Sequence, residues 1–227
     1  MHSDIAYIVR VLGRFLSNLG MDHWKAVKRV MRYLHRTKEY MLTYKRSSQL
    51  KIIGYSDLDF ARCQDSLRST SGYIFMLVGG VVSWRNANQS ITTSSTMAAK
   101  FVPCFEASNQ GICLRNFVTG LRIVKGIERP LKVYCGNKSV VLYSNKNSSS
   151  SKSKHIHIKF LVVKESVQSW HISIKHLGTN SMMVDLLTKG LPPKVFYKHV
   201  AHMSVLLFEE SLVYWELVTF LYFMFYV

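Results

Sequence analysis

A chain of 227 residues with 48% hydrophobic content has the apolar material for one medium domain with attachments, and is far from the composition of disordered sequence. Its 30 Lys and Arg face only 13 acids, a formal charge of +17. Such a balance points to a polyanionic partner, nucleic acid first and an acidic membrane surface second.

No uncharged apolar run reaches the ~18 residues of an ordinary membrane span. The first 20 residues carry Asp4, Arg10 and Arg14 in place of a secretory core. Cys63, Cys104, Cys113 and Cys135 form no C-x-x-C pair, so neither a disulfide framework nor structural zinc is supported. Free thiols in a reducing compartment, cytoplasmic or nuclear, are the expectation. The charge is uneven: residues 1–200 hold all 30 basic residues, whereas the last 27 hold three Glu and no Lys or Arg.

In chain order, Asp4 to Leu16 predicts a helix, with Ile5, Ile8, Val9, Leu12, Phe15 and Leu16 at 3.6-residue spacing. After Asn18-Leu19-Gly20, Asp22 is the expected N-cap of a second helix through Trp24, Val27, Val30, Met31 and Leu34. Its other face carries Lys25, Lys28, Arg29, Arg32 and Arg36. That face reads equally as a solvated surface or as a track for a phosphate backbone. Strands are expected over Leu50–Tyr55, leading into an acidic turn Ser56-Asp57-Leu58-Asp59, then over Ser71–Val78 and Val81–Trp84 around a Gly79-Gly80 hairpin.

From Ser94 to about Val124 the period turns helical, with Pro103 and Gly111 as expected interruptions. Leu131–Cys135 is a fourth strand and Asn137–Tyr143 a short helix, followed by a polar Ser/Asn/Lys loop over Asn145–Lys154. His155–Val167 is a helix, His171–Leu177 a fifth strand and Ser181–Lys189 a last helix. The order is that of a mixed α+β domain. Acids after the first strand and at the last helix would meet near the sheet centre, as in a two-metal nuclease.

Nine strings in this order resemble the C-terminal part of the Pol polyprotein of plant copia-type LTR retrotransposons, over roughly residues 1–205. Ser3-Asp4-Ile5-Ala6-Tyr7 and His23-Trp24-Lys25-Ala26-Val27-Lys28-Arg29 resemble the helices that follow the reverse transcriptase palm. Gly54-Tyr55-Ser56-Asp57, Ser69-Thr70-Ser71-Gly72-Tyr73, Val82-Ser83-Trp84, Ser94-Ser95-Thr96-Met97, Tyr134-Cys135, Lys154-His155-Ile156 and Asp185-Leu186-Leu187-Thr188-Lys189 resemble its ribonuclease H domain. The resemblance implies three segments: a helical remnant over 1–48, a ribonuclease H-like domain over 49–190 and an apolar extension over 191–227. It implies a mixed five-stranded sheet flanked by helices and preceded by a short helical segment. The family's reaction is hydrolysis of the RNA strand of an RNA–DNA hybrid with paired Mg²⁺ ions held by four acids.

Two of those acids match Asp57 and Asp185, the expected catalytic and metal-binding remnants. The other two do not match. The family's helix motif S-T-M-E-A-E-F reads Ser95-Thr96-Met97-Ala98-Ala99-Lys100-Phe101, and its Y-C-D-N reads Tyr134-Cys135-Gly136-Asn137. Lys100 and Gly136 thus stand where carboxylates belong. Two divalent ions about 4 Å apart repel strongly and need those carboxylates, so Mg²⁺ is expected not to bind productively. A lysine ammonium, Lys100 in this reading, is expected to pair with Asp57 or Asp185. Glu106, six residues on and nearly opposite in phase, is a poor substitute.

Other constellations carry less. His155 and His157 at i,i+2 on a helix do not share a face, so a basic loop reads better there than a metal pair. No G-x-S-x-G elbow or Gly-rich phosphate loop is present. The expected partner is nucleic acid, hybrid or duplex, bound weakly and salt-dependently, with Lys25, Lys28, Arg29 and Arg32 as contacts; neither a small-molecule substrate nor a membrane is expected. The reading is a degenerate, non-cleaving Pol fragment, with a non-catalytic basic nucleic-acid binder as the alternative.

Overall fold

The computed structural model describes residues 2–44, 50–59, 69–88, 96–122, 127–145 and 154–207. A 3-10 turn, Ser3–Ile5, leads into helix α1 (Ala6–Gly13), and α2 spans Met21–Arg36. The N-cap of α2 is Gly20, two residues before the expected Asp22; its backbone N–H donates to His23 Nδ1 at 3.1 Å. Asp22 lies inside the first turn, where it favours the helix dipole and pairs with Lys25 at 3.2 Å.

Five strands form the main sheet: β2 (Ile52–Asp59), β3 (Thr70–Leu77), β4 (Gly80–Asn88), β5 (Leu131–Cys135) and β6 (Ile172–His176). Their spatial order is β4-β3-β2-β5-β6, so β2 is central. β2–β3 and β3–β4 pair antiparallel; β2–β5 and β5–β6 pair parallel. The expected turn at Ser56–Asp59 is strand instead: β3 pairs with β2 as far as Asp59 opposite Thr70, and this ladder keeps the acidic stretch extended. The hairpin turn is Val78-Gly79, both at positive φ (52° and 90°), one residue earlier than Gly79-Gly80.

Helix α3 (Thr96–Gly120) runs through Pro103 and Gly111 without a break. Pro103 costs the helix about 3 kcal/mol, since it removes one backbone donor and crowds the preceding turn. Phe101, Val102, Cys104, Ala107, Leu114 and Val118 are all buried along this helix, and that packing holds it together. Gly111 has a packing reason: a Cβ there would stand 3.0 Å from the Phe75 ring and 3.2 Å from Leu131. Gly54 of β2 meets the same ring, at 2.5 Å. Fully buried Phe75 is thus clamped between two glycines.

Helices cover both faces. On one, α3 packs with α4 (Lys138–Asn145) and α5 (Lys154–Gln168) over Phe75, Leu131, Val133 and Ile172. On the other, Ile74, Met76 and Val81 meet Met182, Val184, Leu186, Leu187 and Met203. Strand β3 is buried on both sides because its odd and even residues serve different cores.

The flanking segments join that second core. Helix α7 (Pro193–His202) adds Phe196 and Val200, and α1 adds Ala6. Strand β1 (Tyr40–Leu42) pairs antiparallel with β7 (Val205–Leu207), and Tyr44 donates to the Val81 carbonyl at 2.7 Å. Residues from the expected remnant (1–48) and extension (191–227) therefore pair with each other on the body of the sheet. The last 20 residues of the apolar tail lie outside the described residues.

Candidate functional site

Asp57 sits on central strand β2, directly opposite Gly72 of β3. A Cβ at Gly72 would lie 3.2 Å from both Thr188 Cγ2 and Val184 Cγ2. Without one, the short helix α6 (Asp185–Thr188) can settle over the sheet, and that approach brings Asp185 to Asp57. Both acids are nearly buried, at 8% and 5% exposure.

The group between them is Lys189. Its Nζ donates to Asp57 Oδ2 at 3.0 Å and to Asp185 Oδ1 at 2.8 Å. The cation on the two carboxylates is thus one that sequence reasoning did not assign. The signal was present in the quoted string: Asp185 and Lys189 are i,i+4, with Asp185 opening the one-turn helix and Lys189 capping its end. Lys100 lies in the first turns of α3, and its side chain is outside the described residues, as are those of His155 and His157.

Gly136 follows β5 at the edge of the site. A Cβ built on it would meet Asp57 Oδ1 at 2.9 Å and Cγ at 3.1 Å. The Asp57 carboxylate therefore already uses the space next to residue 136. The next residue, Asn137, caps α4: its Oδ1 accepts from the Ser139 N–H at 2.7 Å and the Val140 N–H at 3.2 Å.

One ammonium faces two carboxylates in a largely buried place. Burial raises the Asp185 carboxyl from 3.8 to about 6, assisted by the charge of Asp57 and opposed by Lys189. Burial lowers Lys189, but the hydrogen bond to Asp185 and the charges of both acids outweigh it and leave its pKa above the usual 10.5. The two shifts favour opposite conclusions about the pair. The stoichiometry resolves them: a single cation serves two anions, so the ammonium is stabilised while Asp185 resists ionisation.

The residues present do not fit two divalent ions. Among the described residues, no group of three or more His, Cys, Asp or Glu could hold a metal. Asp57 and Asp185 are already neutralised in part by Lys189, and Gly136 beside them offers no side chain. Elsewhere, Lys25, Lys28, Arg29 and Arg32 are exposed on the outer face of α2, about one turn apart; Lys28 also sits 5.4 Å over the Trp24 ring. They are brought together by the helix. Among the described residues, no helix is long and apolar enough to cross a membrane.

A mixed five-stranded sheet with helices on both faces, one carboxylate on the central strand and a second on a short helix above it, defines a ribonuclease H-like α+β domain. The sequence then places it: the chain belongs to the copia-type retrotransposon Pol polyproteins. It is 32% identical over 193 residues to the retrovirus-related Pol polyprotein from transposon TNT 1-94 of Nicotiana tabacum, covering 85% of this chain. It is 30% identical over 204 residues to that from transposon RE1 of Arabidopsis thaliana, covering 89%. The chain spans 14% of the length of each of these relatives. A shorter relative, secreted RxLR effector protein 161 of Plasmopara viticola, is 42% identical over 111 residues, 49% of this chain and 78% of that one. No protein-family model matches the chain. Among solved structures, LC11-RNase H1 in complex with RNA/DNA hybrid aligns with a TM-score of 0.44 and 16% identity, covering 61% of this chain and 94% of that one.

Proposed function

We propose that this Pol fragment keeps the ribonuclease H-like framework without hybrid cleavage and acts, where it acts, as a basic nucleic-acid-binding domain. The observation that carries the reading is the Lys189 ammonium bridging Asp57 and Asp185, with Gly136 beside them. In-line hydrolysis by paired metal ions needs an ion on the attacking water and another on the leaving oxygen. Two carboxylates sharing one lysine cannot balance both.

Binding rests on different residues. The formal charge of +17 supplies the long-range attraction, and the exposed face of α2 presents Lys25, Lys28, Arg29 and Arg32 as a ladder that suits a phosphate backbone. Such contacts position a duplex and carry no sequence information. The test is one labelled RNA–DNA hybrid in two assays. Binding should be retained and fall steeply with salt, while Mg²⁺ or Mn²⁺ should produce no cleavage above a protein-free control. Metal-dependent cleavage by the unmodified chain, abolished by Asp57→Asn, would overturn the reading.

A further inference from the structure

Ribonuclease H-like chemistry implies metal ions, and the donor set here disagrees with that implication. The disagreement has a specific form. A single cation already lies between the two surviving acids, and it is covalently part of the chain. Lys189 Nζ touches one oxygen of each carboxylate, at 3.0 and 2.8 Å, from a side chain only 19% exposed.

We propose that Lys189 is a tethered cation that excludes divalent metal from the Asp57–Asp185 pair, and that removing its charge opens a site for one divalent ion of the Mg²⁺/Mn²⁺ class. This rests on the reading above, in which the pair is a remnant of a metal site. Charge balance supports it. Two carboxylates neutralise one divalent ion; with the ammonium retained the same ion would leave the buried cluster positive. Hard ions of this class accept carboxylate oxygens and complete their shell with water. The position is also built for close approach: Gly72 lets α6 sit against β3, so Asp57 and Asp185 converge whether or not a lysine links them. Gly136 adds no side chain that could serve as a further anion, which limits the opened site to one ion.

A purely structural role for Lys189 makes a different prediction. As an i,i+4 tether it would lower stability on removal and create no affinity for metal.

The experiment is a Mn²⁺ titration of the full chain, followed by water-proton relaxation and electron paramagnetic resonance. The variants are Lys189→Gln, Lys189→Met, Lys189→Arg, and Lys189→Gln with Asp57→Asn. The unmodified chain and Lys189→Arg should show no saturable site at millimolar Mn²⁺. Lys189→Gln should bind one Mn²⁺ at least about 10-fold more tightly, because a full positive charge has left the first contact distance. Adding Asp57→Asn should abolish the site. Lys189→Met gives the same answer with a side chain better suited to burial, should the glutamine variant fail to fold.

Saturable binding by the unmodified chain, equal to that of either neutral variant, overturns the inference. So does a folded neutral variant that binds no better than the unmodified chain. Hybrid cleavage assayed on the same samples separates the two readings. Binding by the unmodified chain without cleavage defeats the tethered cation alone. Cleavage that appears only in a neutral variant upholds the tethered cation and refutes the claim that the lost acids disable the site.

Discussion

Asp185→Asn should change how stability depends on pH, and the size of the change follows from the geometry. In the folded chain the Asp185 carboxyl holds its proton to about 6, because it is buried and shares one ammonium with Asp57. In the unfolded chain it releases that proton near 3.8. Between roughly pH 4 and 6 the native state therefore binds a proton that the unfolded state has lost, and unfolding becomes easier as pH rises. Below pH 4 both states are protonated and the contribution to stability is complete; above about pH 7 it is gone. The interval corresponds to about 3 kcal/mol. Lys189 titrates above 10.5 in the fold, so it stays charged throughout this window. Denaturant unfolding of the unmodified chain and of Asp185→Asn at pH 4, 5, 6 and 7 isolates the effect of this site, since titrating groups remote from it cancel in the difference. The variant should gain on the unmodified chain by about 3 kcal/mol from pH 4 to 7. A difference that is constant across the range would show that Asp185 is not the group holding the proton.

Gly54→Ala should destabilise the fold by about 1–3 kcal/mol, because its methyl group would press into the Phe75 ring; the same substitution in a Phe75→Leu background should cost less, and equal costs in a double-mutant cycle would refute the clamp. Replacing Lys25, Lys28, Arg29 and Arg32 with Ala should reduce the slope of log affinity against log salt by up to about 3–4 while leaving the melting temperature nearly unchanged, as these residues are exposed. An unaltered slope would move the binding face elsewhere. Lys100→Glu alone should not produce hybrid cleavage, since Gly136 still supplies no carboxylate. Lys100→Glu with Gly136→Asp is the smallest change that restores four acids, and it must also turn the Asp57 carboxylate, because the new Cβ would lie 2.9 Å from its Oδ1. Cleavage by Lys100→Glu alone would show that two metal ions are not required in the expected way.

Much of this protein was legible from its residues. Hydrophobic alternation and helical spacing located all five main strands and the long helix, because burial on a sheet face or helix stripe writes a period into the sequence. The ordered strings singled out Asp57 and Asp185, which the fold brings together, and the resemblance implied acids at positions 100 and 136, where the chain has Lys and Gly. Local rules failed where tertiary contacts outweighed them. The acidic stretch at 56–59 looks like a turn and is strand, since β3 pairs along its whole length. Pro103 and Gly111 look like breaks, yet α3 continues, held by the core beneath it and needing a glycine where Phe75 comes close. Residues 40–42 and 205–207 carry too little pattern to announce that they pair across more than 160 intervening residues. The cation at the site was the least visible feature. Composition shows many lysines, and the i,i+4 spacing from Asp185 is common to any helix. Only the approach of α6 to β3 over Gly72, which sets Lys189 between two buried carboxylates, decides which lysine meets both acids and what charge is left for a metal ion.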